Sequence, residues 1–237
     1  MAISLWKGTS LLDRSTEIEV LGTGHRDPST NEKTGPMLQT MILLANTHPV
    51  EALRSGADVA ICGDCVHKEG ENDCYVNWGK GPASAWKAER EQPVAPRRWA
   101  RRRKVRVGAA GDPAAVPFLF WEELLSDSAG WTGYTQQWAT CDQRLKRFCM
   151  ASVHSLEQID QAHDLGWRVF YTGPDRESMP NNARTTLCPA SAEAGKRLTC
   201  EQCMHCNGLG MDMRVGDVYT PVHGAQWKVM RFLKKVA

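Results

Sequence analysis

FCMASVHSLEQIDQAHDLGWRVFY, residues 148–171, carries the pattern that decides the fold. Phe148 to Ser152 is an apolar run of strand length. Ser155 then stands where a helix N-cap belongs, and Ser155 to Leu165, SLEQIDQAHDL, places its apolar residues at helical spacing. Gly166 stops that helix, and Trp167 to Tyr171, WRVFY, begins a second strand. A strand, a helix and a strand joined this tightly form a parallel βαβ unit.

The same alternation runs through the rest of the chain. Leu38 to Leu44 reads as a buried strand, Pro49 to Arg54 as a short helix, and Asp58 to Ile61 as a second strand ending at Cys62. Pro82 to Arg90 is helical, Val105 to Gly108 a strand, Pro113 to Leu125 a helix with Pro117 in its first turns, and Trp131 to Gln136 a strand. The expected fold class is α/β, a partial or complete parallel (β/α) barrel with a cysteine-rich C-terminal region that binds an auxiliary metal group. The barrel takes residues 1–187 and the cysteine-rich region residues 188–237. Parallel barrels gather their chemistry at the strand C-termini, where Cys62, Asp112, Ser152, Thr172 and Cys188 all fall.

Composition narrows the setting. With 237 residues, 42% apolar and 24% charged, the chain can bury a proper core and is not a disordered tail. No apolar run reaches the length a bilayer needs, and the N-terminal stretch lacks the features of a secretory signal. The expected location is a reducing cytoplasm, where clustered cysteines bind metal or do redox work more often than they form disulfides.

The nine cysteines fall mainly into two groups. Cys62, Cys65 and Cys74 lie in ICGDCVHKEGENDCY, residues 61–75. Three thiolates leave one position open on a cluster, whereas a structural zinc ion would take a fourth ligand, which His67 offers. Cys188, Cys200, Cys203 and Cys206 form the second group, whose CxxCxxC core resembles the closely spaced ligand runs of iron–sulfur proteins and differs from paired zinc knuckles. Cys141 and Cys149 read as ordinary buried cysteines.

Among other polar residues, Gly111-Asp112-Pro113 follows a strand and opens a helix, so Asp112 is either an N-cap or a carboxylate gripping a ligand's ammonium group. Tyr134, Gln136 and His154 are candidates for the mouth of the barrel, each equally readable as a satisfied structural residue. Gly79 to Pro82 is too short to be a phosphate loop. Arg97 to Arg106, RRWARRRKVR, holds seven basic side chains and no acidic one. It is a solvated charge run or a phosphate-contacting edge built from Arg97, Arg98, Arg101, Arg102 and Arg103, with Trp99 placed to stack on a base.

These segments together resemble the radical S-adenosylmethionine superfamily in its small phage-encoded form. The likeness runs from KTGPMLQTMILL through ICGDC, CYVNWGKGP, VRVGAAGDPAAVP, GWTGYTQQW and CMASVHS to CPASAEAGKRLTCEQCMHC. The first gap between cysteines is shorter, and the second longer, than in the family's usual motif.

The resemblance implies a catalytic [4Fe-4S] cluster on Cys62, Cys65 and Cys74, whose open iron takes S-adenosyl-L-methionine. It implies cofactor contacts from Gly111, Asp112, Pro113 and Ser152, with Asp112, Tyr134 and His154 as catalytic candidates. Cys188, Cys200, Cys203 and Cys206 would hold an auxiliary cluster. Partners would be DNA carrying modified thymidine and a host electron donor such as flavodoxin, with no membrane, in the host cytoplasm. The implied reaction is isomerisation of 5-N-α-glycinylthymidine to its C-linked isomer through a 5′-deoxyadenosyl radical, a DNA hypermodification that evades host restriction. Read from the residues alone, a zinc-stabilised nucleic-acid-binding module and a phage structural protein with a stabilising metal cluster stay open beside it.

Overall fold

A computed structural model describes residues 1–68, 74–90, 94–175, 177–178, 185–195, 198–210, 216–222 and 226–236. The chain begins with strands β1 (Ile3–Thr9), β2 (Glu17–Thr23) and β3 (Leu38–Leu44), then short helices α1 (Pro49–Ser55), α2 (Val59–Cys62), α3 (Gly81–Lys87) and α4 (Pro96–Ala100). Strand β4 (Lys104–Ala110), helix α5 (Phe118–Leu125) and strands β5 (Gly130–Thr132) and β6 (Tyr134–Thr135) follow. Next come β7 (Met150–Val153), α6 (Leu156–Asp164), β8 (Val169–Gly173), β9 (Thr185–Leu187), α7 (Cys200–Cys203), β10 (Asp217–Pro221) and α8 (Gln226–Val236).

The α/β fold contains two five-stranded sheets. The first has the order β1-β2-β3-β4-β5 and the second β6-β7-β8-β10-β9. Every pairing in the second sheet is parallel. In the first sheet β3, β4 and β5 are parallel, while β1 and β2 are antiparallel additions. A single residue, Gly133, separates β5 from β6, so one interrupted strand belongs to both sheets. The Gly133 N–H donates to the Cys206 carbonyl at 2.8 Å, and its own carbonyl accepts from the Met150 N–H at 3.0 Å.

The βαβ unit read from residues 148–171 is present as β7, α6 and β8. The Ser155 side chain caps α6 by accepting from the Gln158 N–H at 3.2 Å, and Gly166 follows the helix with φ +77°. Three expectations need correction. Asp58 to Ile61 is not a strand: the Cys62 N–H reaches the Asp58 carbonyl at 2.8 Å, closing the turn of α2. Four apolar residues are too few to reveal a period, and the αL Gly56 had already turned the chain. The helix expected over Pro113 to Leu125 is a 3-10 turn, Pro113–Ala115, followed by α5, because extended Val116 and Pro117 break it. The sheets are also not wholly parallel, since the short loop after β1 allows only an antiparallel return.

The expected boundary at residue 188 does not separate two sheets. Strand β10 lies between β8 and β9, so the cysteine-rich segment is woven into the second sheet.

Alternate strand residues face opposite ways. Val105 and Val107 lie in the main core beneath the helices, which also holds Trp99, Trp121, Leu124 and Ile159. Arg106, between the two valines, faces a cavity of about 1150 Å³, as do Thr132, Tyr134 and Gln136 from the interrupted strand. Residues from β1 to β8 and from β10 line this one cavity, so both sheets curve round a shared interior. No helix among the described residues is long and apolar enough to cross a membrane.

Candidate functional site

The two cysteine groups lie at opposite ends of the sheet. Helix α2 ends at Cys62 and is fastened to the C-terminal ends of two strands. The Asp112 N–H, just past β4, donates to the Ile61 carbonyl at 2.6 Å, and Gln137 Nε2, just past β6, donates to the Cys62 carbonyl at 3.2 Å. Gly111 makes the first contact possible: it holds φ +75°, and a Cβ there would lie 2.6 Å from the Ile42 carbonyl oxygen. Burial pushes the Cys62 thiol well above its ordinary range, and Cys65, Asp58, Cys74 and Asp112 push it further. Cys62 therefore lies within electrostatic reach of both other members of the trio. His67 and Tyr75, beside Cys65 and Cys74 in sequence, line the cavity.

The second group sits near the N-terminal ends of β4 and β5. A capping box at Thr199 starts α7, whose Cys200 N–H donates to the Lys33 carbonyl at 2.8 Å. Lys104 Nζ holds the same helix through the Glu201 carbonyl at 2.6 Å and the Glu201 carboxylate at 3.1 Å. The Cys188 N–H is tied to the Tyr219 carbonyl at 2.7 Å. Arg168 is buried, and its guanidinium donates to the carbonyls of His205, Gly208 and Gly216 and to Asn207 Oδ1, clamping the loop that carries Cys206.

All four cysteines line the cavity. Burial raises the thiols of Cys188 and Cys203 and pushes Cys206 up to about 12, with Cys200 adding to each shift. Strand β4 separates the two groups by about 20 Å, from Lys104 beside α7 to Ala110 near Asp112.

Buried thiols that suppress one another's ionisation become thiolate ligands only when a metal supplies compensating positive charge. Among the described residues no three His, Cys, Asp or Glu side chains converge closely enough to hold a single metal ion. On donor chemistry both sets fit an iron–sulfur cluster. His67 packs against other rings, stacked on Phe232 of α8 at 5.2 Å and edge-on to His154 at 5.3 Å and Tyr75 at 5.6 Å.

The other expected site residues divide clearly. Asp112 is buried and does not line the cavity. Its carboxylate accepts from the Ala114 N–H at 2.9 Å, Thr135 Oγ1 at 2.7 Å and the Gln136 N–H at 2.7 Å. It is the N-cap of the 3-10 turn formed by Pro113–Ala115, so Gly111, Asp112 and Pro113 position backbone at the strand ends. Gln136 and Ser152 line the cavity and are bonded to each other, Gln136 Nε2 donating to Ser152 Oγ at 2.9 Å. Gln136 Oε1 can only accept, so His154 Nε2, 3.1 Å away, carries the proton. His154 Nδ1 is then a lone pair with no hydrogen-bond partner among the described residues. Burial, assisted by His67, lowers the His154 pKa to about 3.

Tyr134 lines the cavity, its phenol pushed well above its usual range by burial and by Cys206, against the pull of Arg106. Cys149 is buried in the main core and half-buried Cys141 is pushed up to about 12 by burial and Asp112.

The basic run needs a correction. Trp99 is 2% exposed and packs over Gly22, where a Cβ would lie 2.7 Å from its ring, so it cannot stack on a base. The short α4 turns this apolar ring inward and leaves its charged neighbours outside. Arg98, Arg101 and Arg102 are exposed. Arg97 forms a two-bond pair with Asp127 at 2.6 and 3.0 Å, and Arg103 reaches the Gly24 carbonyl at 3.4 Å. Sequence reasoning missed Arg106 and Arg168: Arg106 was hidden at the end of the charge run, and a lone Arg168 carries no motif.

No family model matches this chain, and neither does any curated protein or solved structure.

Proposed function

We propose that this chain is a radical S-adenosylmethionine enzyme that modifies thymidine-derived bases in DNA, converting 5-N-α-glycinylthymidine to 5-C-α-glycinylthymidine. In this reading the curved pair of sheets is a partial parallel (β/α) barrel. The single observation that carries it is a cysteine quartet lining one end of a sheet-walled cavity, with the trio tied behind the strand C-termini at the other end, where its neighbours His67 and Tyr75 line the cavity. Reaction centres of parallel barrels lie at the C-terminal ends.

Cys62, Cys65 and Cys74 would hold the catalytic cluster together with S-adenosyl-L-methionine, and Cys188, Cys200, Cys203 and Cys206 an auxiliary one. Bound there, a cluster and its sulfonium cofactor would supply one-electron chemistry strong enough to break an unactivated C–H bond.

The protein's own task is to bind, orient and exclude water. Asp112 and Gln137 fix Cys62 relative to the strand ends. Ser152 and Gln136 present a hydroxyl and an amide to whatever enters the cavity. His154, neutral and holding its proton on Nε2, keeps the Gln136 amide in one orientation. A base reaching this interior has to leave the duplex stack, and Arg98, Arg101 and Arg102 offer sequence-independent phosphate contacts outside.

Anaerobic purification with iron, sulfide and zinc counting tests the proposal, followed by reduction in the presence of S-adenosyl-L-methionine. The expected result is iron and sulfide at both sites, 5′-deoxyadenosine on reduction, and C-linked product from DNA carrying the N-linked base. Loss of cofactor cleavage on Cys62→Ala, with the quartet's iron retained, assigns the trio. Protein that carries zinc and no iron overturns the enzyme reading in favour of a zinc-stabilised nucleic-acid-binding module.

A further inference from the structure

Arg106 is the one strongly basic side chain of the charged run that points inward. It lies on β4 between buried Val105 and Val107 and lines the cavity. Its guanidinium sits 4.4 Å from the centroid of the Tyr134 ring. Nη1 reaches Thr132 Oγ1 at a long 3.4 Å, and no carboxylate among the described residues pairs with it. Arg106 is half-buried, and the groups in its electrostatic reach that could bear negative charge are the Tyr134 phenol and the thiols of Cys200 and Cys206. No fixed carboxylate among the described residues balances it, so a ligand oxyanion can supply that charge.

The backbone sets this side chain in place. The register of β3 against β4 slips between Gln39 and Met41, so that Gln39 faces Arg106 and Met41 faces Ala110. The Thr40 hydroxyl repairs the ladder, donating to the Arg106 carbonyl at 3.1 Å and accepting from the Gly108 N–H at 3.0 Å. With one face of the guanidinium covered by Tyr134, its edge remains for a planar or tetrahedral oxyanion held through two parallel N–H bonds. The rest of the lining agrees in sign: Arg26, Lys33 and Lys80 join Arg106, against Asp27 as the single carboxylate among the described lining residues.

We propose that Arg106, stacked on Tyr134, is the oxyanion-recognition point of the cavity and fixes the substrate's anionic group near the end occupied by the cysteine quartet. Resting on the function proposed above, that group is the carboxylate of the amino acid carried by the base, which turns the carbon to be activated toward the trio. A phosphate would use the same donors.

The test is ligand binding to the metal-loaded protein, followed by calorimetry and ligand-observed NMR. The probes are N-acetylglycine, its neutral isostere N-acetylglycinamide, methyl phosphate and the modified base itself, N-(uracil-5-ylmethyl)glycine. The wild type is expected to bind N-acetylglycine or methyl phosphate at least roughly tenfold tighter than the amide, the scale of one charge-assisted contact. Arg106→Gln should reduce that preference to below about twofold. Arg106→Lys, which keeps the charge and loses the fork, should fall between, and serves if the glutamine variant does not fold.

Equal binding of acid and amide by the wild type overturns the inference. So does an Arg106→Gln protein that keeps the preference while the visible spectrum or reduction potential of the quartet's metal centre shifts, since Arg106 would then serve the metal. The two proposals fail separately. If the small anions bind through Arg106 but the modified-base probe gains nothing over N-acetylglycine, the oxyanion site stands and the base-modification reading falls.

Discussion

The carboxylate of Asp112 accepts the backbone N–H of Gln136 at 2.7 Å, which locks the turn after β4 to the residue following β6. Gln136 passes this order on, donating to Ser152 and accepting from His154. A buried carboxylate just behind the cavity wall thereby sets the direction of the polar groups that face the cavity.

Asp112→Asn should therefore behave as a structural lesion. One acceptor oxygen becomes a donor facing other donors, at a cost of about 1–3 kcal/mol. Thermal unfolding should show a lower Tm, while cofactor affinity per folded molecule changes little. A loss of cofactor binding with unchanged Tm would give Asp112 a direct contact that its bonding pattern denies.

The arginine edge and Trp99 should separate cleanly. Replacing Arg98, Arg101 and Arg102 together by alanine should weaken binding to any duplex and reduce the slope of log affinity against log salt by about 2–3. Trp99→Ala should instead cost about 3–5 kcal/mol of stability by emptying a core site. Fluorescence anisotropy across a salt series and denaturant titration distinguish the two effects.

The buried imidazole of His154 makes the fold sensitive to acid. Its pKa is lowered from 6.5 to about 3, so between those values the unfolded chain binds a proton that the folded one refuses. Its contribution is complete above about pH 6.5 and is lost as pH falls toward 3, with about 2 kcal/mol gone by pH 5. His154→Gln should flatten this part of the profile, as urea titrations at pH 7 and pH 5 will show. Identical pH profiles for the two proteins would mean that His154 is not the acid-sensitive group.

Arg168 should control access to the quartet. Arg168→Met strands the carbonyls of His205, Gly208 and Gly216, each at about 1–3 kcal/mol if it stays buried. Faster alkylation of Cys203 and Cys206 in metal-free protein is the expected readout, along with reduced iron at this site. Unchanged alkylation would show that the loop holds itself.

What the sequence disclosed follows from the range of the forces involved. Leu38–Leu44 was legible end to end because a strand buried on both faces reads as a mostly apolar run, interrupted here only by Gln39 and Thr40. Ser155 announced α6 because a cap is a local bond. Val59–Cys62 misled, since one helical turn and one short strand share the same apolar signature. Trp99 misled because seven charges surround a ring whose burial depends on Gly22, far away in the chain. The inward aim of Arg106 follows from its alternation with Val105 and Val107, but the cavity it faces is made by strands far away in the chain. Both cysteine groups were visible as spacing, but their separation along β4 was not, because it arises from which strand ends they are tied to.

Gly133 has a bearing on how the molecule is made. The middle of the joined sheets depends on a bond from Gly133 to Cys206, and the second sheet waits for β10 to slide between β8 and β9. A nascent chain thus remains open at its centre until β10 has left the ribosome. On the function proposed above, metal would reach a finished quartet site only once β10 is in place, and a chain terminated before β10 has no closed second sheet.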